Sequence, residues 1–357
     1  MIIKKVNIFR WSLTLRQPYV LSFTTIRDLI SHVVEIILDN GHHAMGEAIA
    51  LQGYSSETEA NIEEALQSTT HSIVGLPVDA ARNKVMRCLH TTPFARSAVL
   101  TALDLANNDF LLPEEIILSV VASIATEEAH STHTRCIALW EEGYRTIKVK
   151  IGRNVKSDIA CARLLLEELP HELRLRFDAN QAYQEEEAYM FLESLDHPNN
   201  TRIELVEQPY RVREWEAFKR LASISTVPLM LDESIYSVED VKRAADAGAS
   251  YVKLKLFKHG GILDLLTVAR CAKASGLKVV LGNGLATDVC NLVEAAICIS
   301  EPNLFAGACE SNGFAKLNSC LLTTPPTIKK GNFSWRRNIG PTWRFAHQSK
   351  AEEQSSS

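Results

Sequence analysis

The hydrophobic pattern of the chain changes its period near residue 115. Before that point, strand-like alternation covers Val6–Leu15 and Ser31–Asp39, Asn40-Gly41 makes a turn, and Met45–Ala48 reads as a short strand. Helical spacing then runs over Ser56–Leu66, Val78–Cys88 and Ala95–Ala106. A block of strands followed by a block of helices predicts an α+β domain over residues 1–115.

From Ile116 onward, short apolar segments alternate with amphipathic stretches of helical length. Strands are expected at Ile116–Ala122, Thr146–Lys150, Leu173–Asp178, Arg202–Glu207, Leu229–Asp232, Tyr251–Leu256, Lys278–Gly282 and Ala306–Glu310. The helices between them include Lys156–Glu168, Glu185–Leu195, Val238–Ala247, Gly261–Ala274 and Ala286–Cys298. A stride of roughly 30 residues per unit is that of a parallel TIM-type (β/α)8 barrel, here over 116–320. An open doubly wound sheet would normally show a glycine-rich phosphate turn after its first strand, and none follows Ile116–Ala122. After Cys320 the pattern breaks at Thr323-Thr324-Pro325-Pro326, so about 321–347 is expected to return to the N-terminal domain. The polar stretch Gln348–Ser357 is expected to be disordered.

A net charge of -5 and a pI near 6.1 argue against a general attraction to nucleic acid or anionic membrane. The eight cysteines contain no Cys-x-x-Cys pair, which points to reduced thiols and away from zinc or thioredoxin-like chemistry. The N-terminus lacks a signal series and no apolar run reaches membrane-spanning length, so a soluble cytoplasmic protein is expected.

Charge enters the barrel pattern in one unusual place. In Ile147-Lys148-Val149-Lys150-Ile151 the aliphatic residues share one face of a strand and both lysines share the other. Tyr251-Val252-Lys253-Leu254-Lys255-Leu256 repeats the alternation on the sixth strand, across an eight-membered ring from the second. A single Lys-x-Lys commonly marks a wet edge strand. Here, however, three successive intervening strands end in Asp178, Glu207 and Asp232. In a barrel these ends form one rim, and three converging carboxylates need shared protons or a cation. Oxygen ligands without histidine or cysteine favour a hard octahedral ion, Mg2+ first. A lysine near Mg2+ and other ammonium groups is expected to lose its proton more readily, and so to act as a base.

The order and spacing of Lys148-Val149-Lys150, Asp178-Ala179-Asn180-Gln181-Ala182, Glu207-Gln208-Pro209, Asp232-Glu233-Ser234 and Lys255–Ile262 resemble the muconate lactonizing enzyme subgroup of the enolase superfamily over nearly the whole chain. The resemblance implies an α+β capping domain, completed by the C-terminal segment, over a modified barrel. It implies one Mg2+ per active site on Asp178, Glu207 and Asp232, with Lys150 and Lys255 as the acid/base pair and Lys148 beside the substrate carboxylate. The chemistry implied is removal of a proton α to a carboxylate through a metal-stabilised enediolate. Its outcome would be racemisation or epimerisation if both lysines act. Elimination or cycloisomerisation, as in dehydratases or o-succinylbenzoate synthase, is the alternative on the same scaffold. A non-catalytic binding protein is the contrasting class. Members of the superfamily often form homo-oligomers, and the sequence does not fix a subunit number.

The substrate implied is a small carboxylate, a dipeptide or N-substituted amino acid. Phe23-Thr24-Thr25-Ile26-Arg27 resembles the loop in which dipeptide epimerases place an arginine for an acidic side chain. Where those enzymes carry an Asp-x-Asp for the substrate ammonium, this chain has Cys309-Glu310-Ser311-Asn312-Gly313. Arg27, Glu310 and Asn283, the last after strand seven, are therefore the candidate substrate-binding residues.

Overall fold

The computed structural model describes residues 1–20, 25–51, 57–125, 128–196, 200–338, 342–346 and 352–356. At the N-terminus β1 (Ile3–Val20) and β2 (Thr25–Leu38) pair antiparallel, and β3 (His43–Ile49) adds to β2. Three helices follow, α1 (Glu59–Ile73), α2 (Val78–Cys88) and α3 (Pro93–Ala106). Nearly every residue of α3 is buried, because it lies between this sheet and the second half of the chain. Gly46 permits the approach, since a methyl group there would overlap the Ala98 carbonyl. On its other side the Ser97 hydroxyl donates to the Leu256 carbonyl at 2.6 Å.

After β4 (Glu115–Ser119) the chain enters a parallel sheet. Its strands are β5 (Ala122–Ala125), β6 (Thr146–Lys150), β7 (Arg174–Asp178), β8 (Ile203–Glu207), β9 (Leu229–Leu231), β10 (Tyr251–Leu254) and β11 (Lys278–Leu281). The helices between are α4 (Ala129–Glu141), α5 (Val155–Glu168), α6 (Glu185–Ser194), α7 (Trp215–Ile224), α8 (Val238–Asp246) and α9 (Ile262–Ala274), and α10 (Asp288–Ser300) follows β11. Each strand neighbours its predecessor, giving a seven-stranded sheet with β5 and β11 at its ends. Residues 305–310 bridge both ends. The N–H groups of Ala306 and Glu310 donate to the carbonyls of Val279 and Leu281, and Cys309 exchanges hydrogen bonds with Ser119 and Val121.

The first expected barrel strand, Ile116–Ala122, is divided. β4 joins an antiparallel sheet with β13 (Asn332–Arg336), itself paired with β12 (Thr327–Lys329), and only at Ala122 does parallel pairing with β6 begin. Both halves are mainly apolar, and a single serine, Ser119, is the one polar residue where the partner changes. Helices α4 and α7 also go beyond those read from the sequence. Beyond Cys320 the chain first pairs with β4 and then returns to β1, where Phe345 packs on Phe9 and Trp11 with ring centroids 4.8 and 5.2 Å away. Within the tail expected to be disordered, residues 352–356 instead form β14 (Glu352–Ser356), which pairs with the open edge of β1; residues 347–351 and 357 lie outside the described residues. An edge strand offers unpaired N–H and C=O groups that even a polar segment can use. No described helix is long and apolar enough to cross a membrane.

Candidate active site

On β6 the alternation has the expected geometry, with Ile147, Val149 and Ile151 in the core and Lys148 and Lys150 directed to the other face. Strand register sets Lys150, Asp178 and Glu207 on one rung of adjacent strands, and Asp232 follows the end of β9. All three acids are at most 1% exposed. The Lys148 ammonium lies 2.9 Å from Asp178, 2.7 Å from Glu207 and 3.0 Å from Glu310. Lys150 donates to Asp178 Oδ2 and Asn180 Oδ1, both at 2.6 Å.

The opposite wall is built around Asp232. Lys255 reaches its Oδ2 at 2.6 Å, while Lys258 reaches its Oδ1 at 2.9 Å and its carbonyl at 2.7 Å. Lys150 and Lys255 line one small cavity together with Tyr19, Leu51, Gly284 and Leu285. The turns after β7 and β8 hold non-glycine residues in the left-handed region, Asn180 at φ 43°, Gln181 at 70° and Gln208 at 39°. Two of these side chains are held within the site. Asn180 joins Lys150 to Glu233, and Gln208 Oε1 accepts from the backbone N–H of Asp232 at 2.9 Å.

Among the protein's own groups, the electrostatics of the site favours charged amines. Burial opposes the charged amines, but the carboxylates in contact outweigh it and hold Lys148, Lys150 and Lys255 above the usual lysine range. Lys258 moves the other way, through burial and the repulsion of Lys255. Despite burial, the lysines hold Asp178 and Asp232 below the carboxylate range. Glu207 differs, since burial and the Asp178 charge push it up to about 8. Its Oε1 is buried and has no hydrogen-bond partner among the described residues.

That orphaned oxygen bears on the metal. Asp178, Glu207 and Asp232 supply only oxygen donors, and an unpartnered carboxylate oxygen suits a hard cation. As placed, ammonium groups stand on these acids, and among the described residues no three acid, imidazole or thiol groups form a metal cluster. The donor chemistry of the three acids is compatible with a hard cation such as Mg2+.

The three candidate substrate contacts separate. Arg27 is exposed on β2, outside the lining of the cavity, and the Phe23-Thr24 part of its loop lies outside the described residues. Asn283 lines the cavity. Glu310 lines it too, but it is already shared by Lys148, Lys253 and Arg176. Gly282, at φ 130°, permits this packing because a side chain there would meet the backbone of Glu310 and Ser311. Sequence reasoning missed Arg176, Asn180, Glu233 and Lys316. A polar residue inside the β7 run signals Arg176, and Asn180 belongs to the Asp-Ala-Asn turn; Lys316 carries no periodic signal.

A family model described as Enolase C-terminal domain-like matches residues 132–341. The chain belongs to the enolase superfamily. Within the superfamily it is 30% identical over 297 residues to the L-Ala-D/L-Glu epimerase of Clostridium acetobutylicum, covering 79% of this chain and 82% of that protein. It is 28% identical over 334 residues to muconate cycloisomerase 1 of Pseudomonas putida, covering 88% of each. A solved dipeptide epimerase from Cytophaga hutchinsonii, complexed with Mg and D-Ala-L-Val, has a TM-score of 0.88 at 21% identity, over 99% of this chain and 100% of that one. Relatives named as epimerases are isomerases of this superfamily.

Proposed function

We propose that the protein is a Mg2+-dependent racemase or epimerase that removes and returns the α-proton of a carboxylate substrate, a dipeptide or N-substituted amino acid. The reading is carried by one observation: Lys150 on β6 and Lys255 just after β10 line the same cavity from strands separated by β7, β8 and β9. It includes residues 305–310 as the eighth strand of a closed barrel. When bound at Asp178, Glu207 and Asp232, Mg2+ supplies Lewis-acid stabilisation of developing carboxylate charge. With Mg2+ on the acids, Asp178 and Asp232 would no longer hold both amines charged, and one lysine, as the free amine, takes the proton from Cα while the C–H electron pair spreads into the adjacent carboxylate. The opposing ammonium delivers a proton to the other face, inverting the centre. Lys148 adds positive charge beside that carboxylate, and Asn180 orients Lys150.

In D2O the protein is expected to exchange the α-proton of its substrate for deuterium, as read by mass spectrometry. Lys150→Ala or Lys255→Ala should lower inversion by roughly 10^4-fold, the upper range for a positioned acid or base. Exchange persisting in the double variant would overturn the assignment. The resemblance to muconate cycloisomerase favours one second reading, cycloisomerisation on the same lysines. A cyclised product in place of an isomer would select it.

A further inference from the structure

The cavity has a wall that the proton-transfer reading leaves unused. Lys316, on the short 3-10 helix Gly313–Lys316, contacts two residues that line it, Gly284 and Tyr19. Its ammonium donates to the Gly284 carbonyl at 2.6 Å and to Asn312 Oδ1 at 2.8 Å, and stands 5.2 Å from the centre of the Tyr19 ring. These partners are neutral, and among the described residues Lys316 makes no ion pair. Glu310, the acid nearby, is divided among Lys148, Lys253 and Arg176. Burial pushes the Lys316 amine down to about 7; Glu310 opposes this, while Lys150, Lys148 and Lys253 reinforce it. A partly buried ammonium with neutral acceptors lacks a counter-charge.

A second donor on the same wall has the same need. Asn283 Oδ1 accepts from the Leu285 N–H at 3.1 Å, which fixes the orientation of the amide. Its Nδ2 is buried and has no hydrogen-bond partner among the described residues. Asn283 and Gly284 both line the cavity, so the Lys316 ammonium, held on the Gly284 carbonyl, and the Asn283 amide are attached to adjacent residues of one wall. The carboxylates lining that cavity, Asp232 and Glu310, are both ion-paired.

Resting on the racemase or epimerase reading, we propose that Lys316 and Asn283 form a receptor for a second carboxylate of the substrate, distal to the reacting carbon, and so select dicarboxylates over substrates that present a free ammonium there. A carboxylate supplies both the charge and the acceptor oxygens that this wall lacks. An ammonium at the same point meets like charge and leaves Asn283 Nδ2 unsatisfied.

The experiment measures kcat and KM for α-proton exchange in D2O on matched substrates. One pair is an N-acyl amino acid whose acyl chain ends in a carboxylate, against its terminal amide. A second pair, N-acetylglutamate against N-acetylglutamine, moves the carboxylate to the side chain. A dipeptide with a free N-terminal ammonium completes the set. The carboxylate member of one pair should be preferred by roughly 30-fold or more, mainly in KM, as expected for a hydrogen-bonded charge pair. Lys316→Met should erase that preference and leave the amide within about threefold; Lys316→Arg should retain it. Lys316→Gln replaces the methionine variant if that does not fold. A preference that survives neutralisation of Lys316, an equal loss on acid and amide, or a wild-type preference for the dipeptide overturns the proposal. If nothing exchanges, the epimerase reading fails separately. Calorimetric titration with the same dicarboxylates then decides the receptor, supported by weaker binding in Lys316→Met and overturned by equal binding.

Discussion

Glu47, Asp288 and Glu294 are as deeply buried as Asp178, Glu207 and Asp232, yet the two sets are held by different chemistry. Glu47 accepts from the Ser31 hydroxyl and from the backbone N–H groups of Thr287 and Cys290, tying β3 to α10. Asp288 takes the N–H groups of Leu321 and Leu322, both at 2.8 Å. Glu294 takes those of Leu256 and Asn283, with Ser311 and Asn291 side chains added. These donors are neutral and do not cancel the cost of burial, so Glu47 rises to about 7 and Asp288 to about 6. Asp178 and Asp232 instead face ammonium groups and shift downward despite burial. Carboxylates bonded to amides fasten distant segments together. Carboxylates bonded to amines form the charged assembly on which the proposed proton transfer and cation binding rest. Glu207 has an ammonium partner but the raised pKa of the first set, and its spare oxygen makes it the acid most in need of a further positive charge.

The largest effect expected from breaking this contrast is at Glu207. Glu207→Gln should weaken Mg2+ binding by at least about 100-fold in calorimetry and remove inversion, with the thermal midpoint little changed because a raised-pKa carboxyl is relieved. A melting loss as large as that of a fastening acid would erase the distinction. Next in size is Asp288→Ala, which strands two buried N–H groups at about 1–3 kcal/mol each. Urea denaturation should register the loss, while Mg2+ affinity of the folded protein stays unaltered. The smallest is a pH effect. With its folded pKa above the ordinary value of 4.5, Glu47 binds more protons in the folded than in the unfolded chain between about 4.5 and 7, so its contribution to stability falls as pH rises through that window. Replacing Glu47 with Gln should flatten this part of a melting-temperature profile by a few degrees.

Much of the cavity is legible in the sequence. Two-residue periodicity assigns Lys148, Lys150, Lys253 and Lys255 to a face, and a parallel sheet delivers Asp178, Glu207 and Asp232 to one rim. What escapes is pairing and competition. The exchange of partners at residue 120 occurs inside a mainly apolar run broken only by Ser119, and the capture of Glu310 by Arg176 joins residues far apart in the chain. The rise in the amines' pKa follows from ångström-scale contacts that no spacing rule supplies. Lys316 stands in a turn without period, and its partners are known only when the chain is folded.

The left-handed residues of the rim carry a practical consequence. Glycine at 180 or 208 would ease a backbone conformation that costs of order 1 kcal/mol or more in other residues. It would also delete the amide that seats Lys150 or the one that anchors the Asp232 backbone. Engineering this enzyme for heat resistance and engineering it for turnover therefore pull in opposite directions at these two turns, while the outer helices leave room to pursue both.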